Sequence, residues 1–120
     1  MPKFLLTIWG DEAVMAQARP EDTQKFYQAY QDLTDEMRGA GAFAAGEGVQ
    51  PSATAKTIRV RDGKTLKSDG PFAETKEQLN GFYVVESKDE DEAIAWAAKI
   101  PGAAMGSVEV RPVIEYPPEA

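Results

Sequence analysis

The chain has 120 residues, a length that fits one domain. It contains no cysteine and no histidine, which excludes disulfide scaffolds, thiolate nucleophiles, Cys/His metal sites and Ser-His-Asp catalysis. Its formal net charge of −7 argues against a general nucleic-acid or anionic-membrane surface, because phosphate contacts need a positive face.

With 42% hydrophobic and 28% charged residues, the composition is that of an ordinary globular protein. No stretch approaches the ~20 apolar residues of a membrane span. The apolar run at the N-terminus is too short for a signal peptide, so a cytoplasmic protein is expected.

Lys3 to Trp9 is a compact apolar run and reads as a strand buried on both faces. Ala13 to Arg19 is ambiguous between loop and a short helical turn. Pro20 suits the first position of a helix, and Glu21 and Asp22 suit its positive end. Phe26, Tyr30, Leu33 and Met37 then form one stripe, which predicts a helix over Pro20–Ala40 ending at Gly39 and Gly41. Phe43–Val49 is a short strand interrupted by Gly46 and Gly48. Ala53–Arg61 and Lys64–Ser68, joined by Asp62-Gly63, carry the signal of a β-hairpin, since both central turn residues need positive φ. Asp69-Gly70-Pro71-Phe72 makes a turn, and Ala73–Gln78 is predicted as a single helical turn. Asn80-Gly81 leads irregularly into a strand over Phe82–Glu86. Either Ser87 or Asp89 caps a second helix, whose face is Ala93, Trp96, Ala97 and Ile100 and which Pro101-Gly102 stops. Ser107 to Tyr116 alternates as a last strand, and residues 117–120 form a tail.

This order predicts an α+β fold: a ferredoxin-like β-α-β-β-α-β unit with a β-hairpin insertion, one domain over residues 1–116. The most continuously apolar strands, the first and the third, belong in the centre, with the Phe43 and Ser107 strands at the edges. Both helices cover one face. The other face presents Leu5, Thr7, Trp9, Glu109, Arg111 and Val113 with no cover from this chain. An apolar face of that kind is expected to be covered by a second copy, giving a homodimer with a partly polar cleft between two sheets.

Several residues are candidates for that cleft. Asp69-Gly70-Pro71-Phe72 reads either as a tight turn with Phe72 anchored in the core, or as a cleft rim with Asp69 as polar contact or base. Glu74, Lys76 and Glu77 read either as a solvated turn or as cleft and interface charges. Glu47 lies between two glycines that permit a bulge able to re-aim it, and a carboxylate so aimed is a candidate general base. Trp9, Glu109 and Arg111 share the uncovered face; Arg111 is suited to an anionic group, or to an ion pair with Glu109. The hairpin is locally basic, through Lys56, Arg59, Arg61, Lys64 and Lys67. Lysines there blunt an exposed strand edge, with an acidic partner as the minority reading.

The run Asp69-Gly70-Pro71-Phe72-Ala73-Glu74-Thr75-Lys76-Glu77-Gln78-Leu79 resembles the DGPF-motif branch of the YCII-related family. Gly10-Asp11-Glu12, Gly46-Glu47-Gly48-Val49-Gln50-Pro51, Arg59-Val60-Arg61-Asp62-Gly63 and Gly106-Ser107-Val108-Glu109-Val110-Arg111-Pro112 carry the same resemblance, so it spans nearly the whole chain. The resemblance implies a ferredoxin-like fold and a homodimer called a dimeric α/β barrel. A His-Asp pair suggested for the wider family cannot be carried over, because this chain has no histidine. The barrel is shared with isomerases, monooxygenases and dechlorinating enzymes of small cyclic compounds, an analogy of fold alone.

Two functions stay open at this level. One is a small-molecule enzyme or binding protein using the dimer cleft, with no cofactor and no metal. The other, implied by the association of this branch with sigma factors, is a non-catalytic regulatory module. Neither involves nucleic acid or a membrane.

Overall fold

The computed structural model describes residues 1–118; the end of the expected tail, residues 119 and 120, lies outside the described residues. The elements are β1 (Lys3–Gly10), α1 (Glu12–Met15), α2 (Pro20–Gly39), β2 (Phe43–Gly48), β3 (Lys56–Arg61), β4 (Lys64–Asp69), β5 (Gln78–Glu86), α3 (Glu90–Lys99) and β6 (Ser107–Pro112), with single 3₁₀ turns at Ser52–Thr54 and Pro101–Ala104. The fold is α+β. Four strands form an antiparallel sheet in the order β2-β5-β1-β6, and β3 and β4 form a separate two-stranded sheet. The hairpin is thus an excursion from the main sheet. Asp62 and Gly63 turn it with φ of 51° and 75°, the left-handed pair that a two-residue hairpin turn demands.

The core lies between one face of the four-stranded sheet and the two long helices. Phe4, Leu6 and Ile8 from β1 and Tyr83 and Val85 from β5 meet Leu33 and Met37 of α2, Ala93 and Ala97 of α3, and Ile100. Tyrosines tie the layers together. The Tyr83 hydroxyl lies 2.8 Å from Thr34 Oγ1, and the Gly102 N–H donates to the Tyr30 hydroxyl at 3.1 Å. Burial raises the Tyr30 pKa, the Gly102 N–H works in the opposite direction, and the nearby Tyr83 adds to the rise. The neutral phenol is therefore favoured in the folded state. Its contribution is fully present below the unfolded value near 10 and is lost as pH rises through the higher folded value. Denaturant unfolding between about pH 8 and 11 should show a downward slope that is shallower in Tyr30→Phe; equal slopes would refute this assignment.

Several expectations are corrected by the structure. β1 is not buried on both faces: Phe4, Leu6 and Ile8 are buried, while Leu5, Thr7 and Trp9 are only half-buried, because the helices cover one side alone. The last strand stops at Pro112, not Tyr116. Pro112 pairs with Phe4, Val113 N–H donates to Lys3 O, and β1 offers no residue beyond that. Val113 therefore lies past the end of the strand. Residues 73–77 are not helical. Gln78 Nε2 donates to Thr75 O at 2.6 Å and the Thr75 hydroxyl to Glu77 O, side-chain bonds that compete with a helical turn. Asp89, not Ser87, caps α3, accepting from Glu92 N–H at 2.9 Å.

The largest correction concerns Phe72. It is 81% exposed and does not anchor in the core of its own chain. The reason is topological. β4 pairs only with β3, so the chain leaves Asp69 from the tip-bearing hairpin and not from the main sheet. Gly70, with φ of 94°, turns it at the hairpin's base, where its N–H donates to Ala55 O.

Candidate functional site

The helix-free face of the sheet is built by alternation along four strands. Register places two cross-strand rows there: Glu47, Phe82, Thr7 and Glu109 in one, Ala45, Val84, Leu5 and Arg111 in the other. Trp9 follows, between Leu79 and Ser107. Leu5, Trp9, Phe82 and Val84 are all half-buried, so the face is an apolar stripe rimmed by charge at both edges. The Trp9 indole N–H donates to Thr7 Oγ1 at 2.9 Å, which leaves its ring on the surface of the stripe with its one polar atom satisfied.

Four of the predicted residues thus share one surface: Trp9, Glu47, Glu109 and Arg111. Glu109 and Arg111, two apart on β6, pair with each other, with Arg111 Nε 2.7 Å from Glu109 Oε1. The pair is largely exposed, worth about 0–1 kcal/mol to stability. Its guanidinium is already half-neutralised, so any anion it meets must share it with Glu109. Glu47 stands on the opposite edge, exposed beside Phe82. Three interstrand spacings separate the rows' ends by about 14 Å, too far for Glu47 and Glu109 of one chain to work as an acid/base pair. The glycines beside Glu47 do not make a bulge around it. The register shift lies between Phe43 and Ala45, and Gly46 is needed because a Cβ there would come within 2.7 Å of the Tyr83 ring.

The other predicted residues lie elsewhere. Asp69 ends β4, opposite Lys56, and its carboxylate is 3.4 Å from the Lys56 ammonium. Phe72 and Glu74 are exposed on the loop that follows. Glu77 is half-buried at the end of the sheet and accepts from Ser107 Oγ at 2.9 Å.

Four residues that sequence reasoning did not single out organise that end of the sheet. Glu12 accepts from both the N–H and the hydroxyl of Ser52, each at 2.7 Å, and its own N–H donates to Gln78 Oε1 at 2.9 Å. One carboxylate thereby joins the start of α1 to the segment from which the hairpin springs. Gly106 approaches the Trp9 carbonyl so closely that a Cβ would lie 2.0 Å from it. The signal for this cluster was present in Gly10-Asp11-Glu12, Gln78 and Gly106-Ser107, three separate stretches without a local turn or helix to explain them all.

A YCII-related domain model matches residues 3–117. The chain belongs to the YCII-related family. An uncharacterized protein of Rhizobium meliloti (strain 1021) is 33% identical over 117 residues, covering 96% of this YCII-related chain and 94% of that relative. In this YCII-related protein, three of the stretches that carry the resemblance meet at the end of the sheet, Glu12 with Gln78 and Glu77 with Ser107. Among the described residues no group of acidic side chains is arranged to hold a metal ion. Among the described residues no helix is long and apolar enough to cross a membrane. Two grooves of about 390 and 370 Å³ open beside α3. The first mixes Trp96 and Lys99 with Glu86 and Glu92, and the second is lined only by apolar side chains, including Ile94, Val108 and Val110. Neither contains any of the predicted site residues.

Proposed function

We propose that this YCII-related protein acts as a homodimer in which two helix-free sheet faces oppose each other, and that the cleft between them takes a small, mostly apolar ring compound. The observation that carries the reading is the stripe of Leu5, Trp9, Phe82 and Val84, half-buried and rimmed by Glu47 and by the Glu109–Arg111 pair. An apolar floor with few polar groups at its margin is how small-molecule sites are usually built. The strand order β2-β5-β1-β6, antiparallel throughout, supports a ferredoxin-like unit, and two such sheets face to face would form a dimeric α/β barrel. The run from Asp69 to Leu79 supports membership of the DGPF-motif branch. The protein is proposed to work in the cytoplasm, as a binding protein or as an enzyme whose chemistry uses carboxylate, Tyr or Arg groups.

Sedimentation velocity and a fluorescent aromatic sulfonate, anilinonaphthalene sulfonate, test both halves. The wild type should sediment as a dimer at micromolar concentration and bind the dye saturably. Leu5→Arg should be monomeric but folded, and Trp9→Ala should stay dimeric and weaken dye binding about tenfold or more. A wild-type monomer would end the dimer reading. A dimer with no saturable dye site would favour the regulatory module.

A further inference from the structure

The hairpin β3–β4 is the part of the chain that its own body leaves unpartnered. Its strands bond only to each other, and every side chain on it is exposed except half-buried Thr57. Ile58, Val60 and Leu66 are between 48% and 60% exposed. A lone two-stranded hairpin is marginal in water. Its base is tied to the body by Glu12 on Ser52, and its two ends are tied to each other by Gly70 N–H on Ala55 O at 2.7 Å and by the Thr57 hydroxyl on Gly70 O at 2.9 Å. The molecule is correspondingly extended, with a radius of gyration of 16.6 Å, against about 13.6 Å for a compact chain of this length. The arm projects from the body.

Its two faces differ. Alternation puts Lys56, Ile58, Val60, Thr65, Lys67 and Asp69 on one side, and Thr57, Arg59, Arg61, Lys64, Leu66 and Ser68 on the other. The second face carries three cations and no acid. Among the described residues none of Arg59, Arg61 and Lys64 forms an ion pair. The arm, with five basic and two acidic side chains, is +3, so the remainder of the chain carries −10. Part of that charge is clustered, as in Glu90, Asp91 and Glu92 in the first turn of α3.

We infer that the arm clasps a second copy of this chain, laying the Arg59–Arg61–Lys64 face, with Leu66 at its centre, on the acidic body of that copy. This rests on the dimer proposed above. Size supports it as well as charge. The four-stranded face covers roughly 400 Å² in plan, from strand spacing and rise, whereas a stable interface takes about 800 Å² from each partner. One arm face covers about 200 Å². A two-fold dimer uses the contact twice, so each copy gives an arm face and receives one, which supplies the missing area.

The test is sedimentation velocity over a concentration series at low and high salt, on the full-length wild type and three variants. Arg59→Glu/Arg61→Glu/Lys64→Glu should raise the dimer Kd at least tenfold and remove most of its salt dependence. Lys67→Glu, on the other arm face, should leave Kd within about twofold. Leu5→Arg reports separately on the sheet contact. A triple variant with wild-type Kd overturns the clasp but leaves the sheet dimer standing. An equal loss in Lys67→Glu also overturns it, as a mere effect of net charge. A wild-type monomer overturns both contacts. Binding of a duplex DNA that disappears in the triple variant, with dimerisation unchanged, would assign the arm to nucleic acid instead. As a check independent of mutation, the Ile58 and Val60 amides of the wild type should lose hydrogen-exchange protection on dilution into the monomer range. Protection that does not change on dilution counts against the clasp.

Discussion

Leu6→Ala should lower the free energy of unfolding by about 2–5 kcal/mol, whereas Leu5→Ala, one position earlier, should cost the folded subunit less than about 1 kcal/mol. The two residues are the same type on the same strand. Leu6 is fully buried beneath the helices, and Leu5 is half-buried on the helix-free face. Truncating Leu6 leaves a cavity among Phe4, Ile8 and Val85 that close-packed neighbours can fill only in part. A domain of this size is stable by about 5–15 kcal/mol, so that loss is a large share. Leu5→Ala should act instead on association, because the side chain it shortens lies between Val84 and Arg111 on the proposed dimer face. Urea unfolding of both variants, at a concentration below the dimer range, checks the pair. Equal destabilisation would mean that the two faces of β1 are equally buried, and the one-sided sheet would be wrong.

Gly106→Ala should destabilise by about 3 kcal/mol, at the upper end for an inserted methyl group. The new Cβ would lie 2.0 Å from the Trp9 carbonyl oxygen and 3.1 Å from Gly10 Cα. Both obstacles are backbone and cannot rotate aside. The start of β6 would have to separate from the end of β1, breaking the pairing of Trp9 with Ser107. Gly39→Ala is the control. It ends α2, a Cβ there meets nothing within 4 Å, and the substitution should be neutral or stabilising by up to about 1 kcal/mol. Thermal unfolding of the two variants gives the answer directly: a Gly106→Ala protein that melts with the wild type would show that β6 does not approach β1 as closely as described. The site is implicated too, because Trp9 and the Ser107–Glu77 bond flank this contact.

Much of the architecture was legible because its signals are local. The Pro20 start, the stripe of Phe26, Tyr30, Leu33 and Met37, and the glycines after it marked α2 to within a residue of Gly39. Asp62-Gly63 marked a hairpin through a turn geometry that few other dipeptides adopt. Alternation on the last strand put Glu109 and Arg111 together on the exposed side and Val108 and Val110 toward the core. These readings depend on residues at most a few positions apart.

Phe72 and Glu12 show where that reach ends. As the one large apolar side chain between Leu66 and Leu79, Phe72 looked like a core anchor, but composition does not say which sheet its loop leaves. Glu12 carried no local mark of its role, because its carboxylate partner, Ser52, is 40 positions away. Periodicity and turn chemistry in the sequence by itself determined the two long helices, the hairpin and the presence of four main strands. Only the tertiary structure decided that Glu47 joins Trp9, Glu109 and Arg111 on one surface while Asp69, Phe72 and Glu74 do not. That outcome depends on strand register and on what β4 pairs with, which are set by long-range packing between segments that carry no mark of one another.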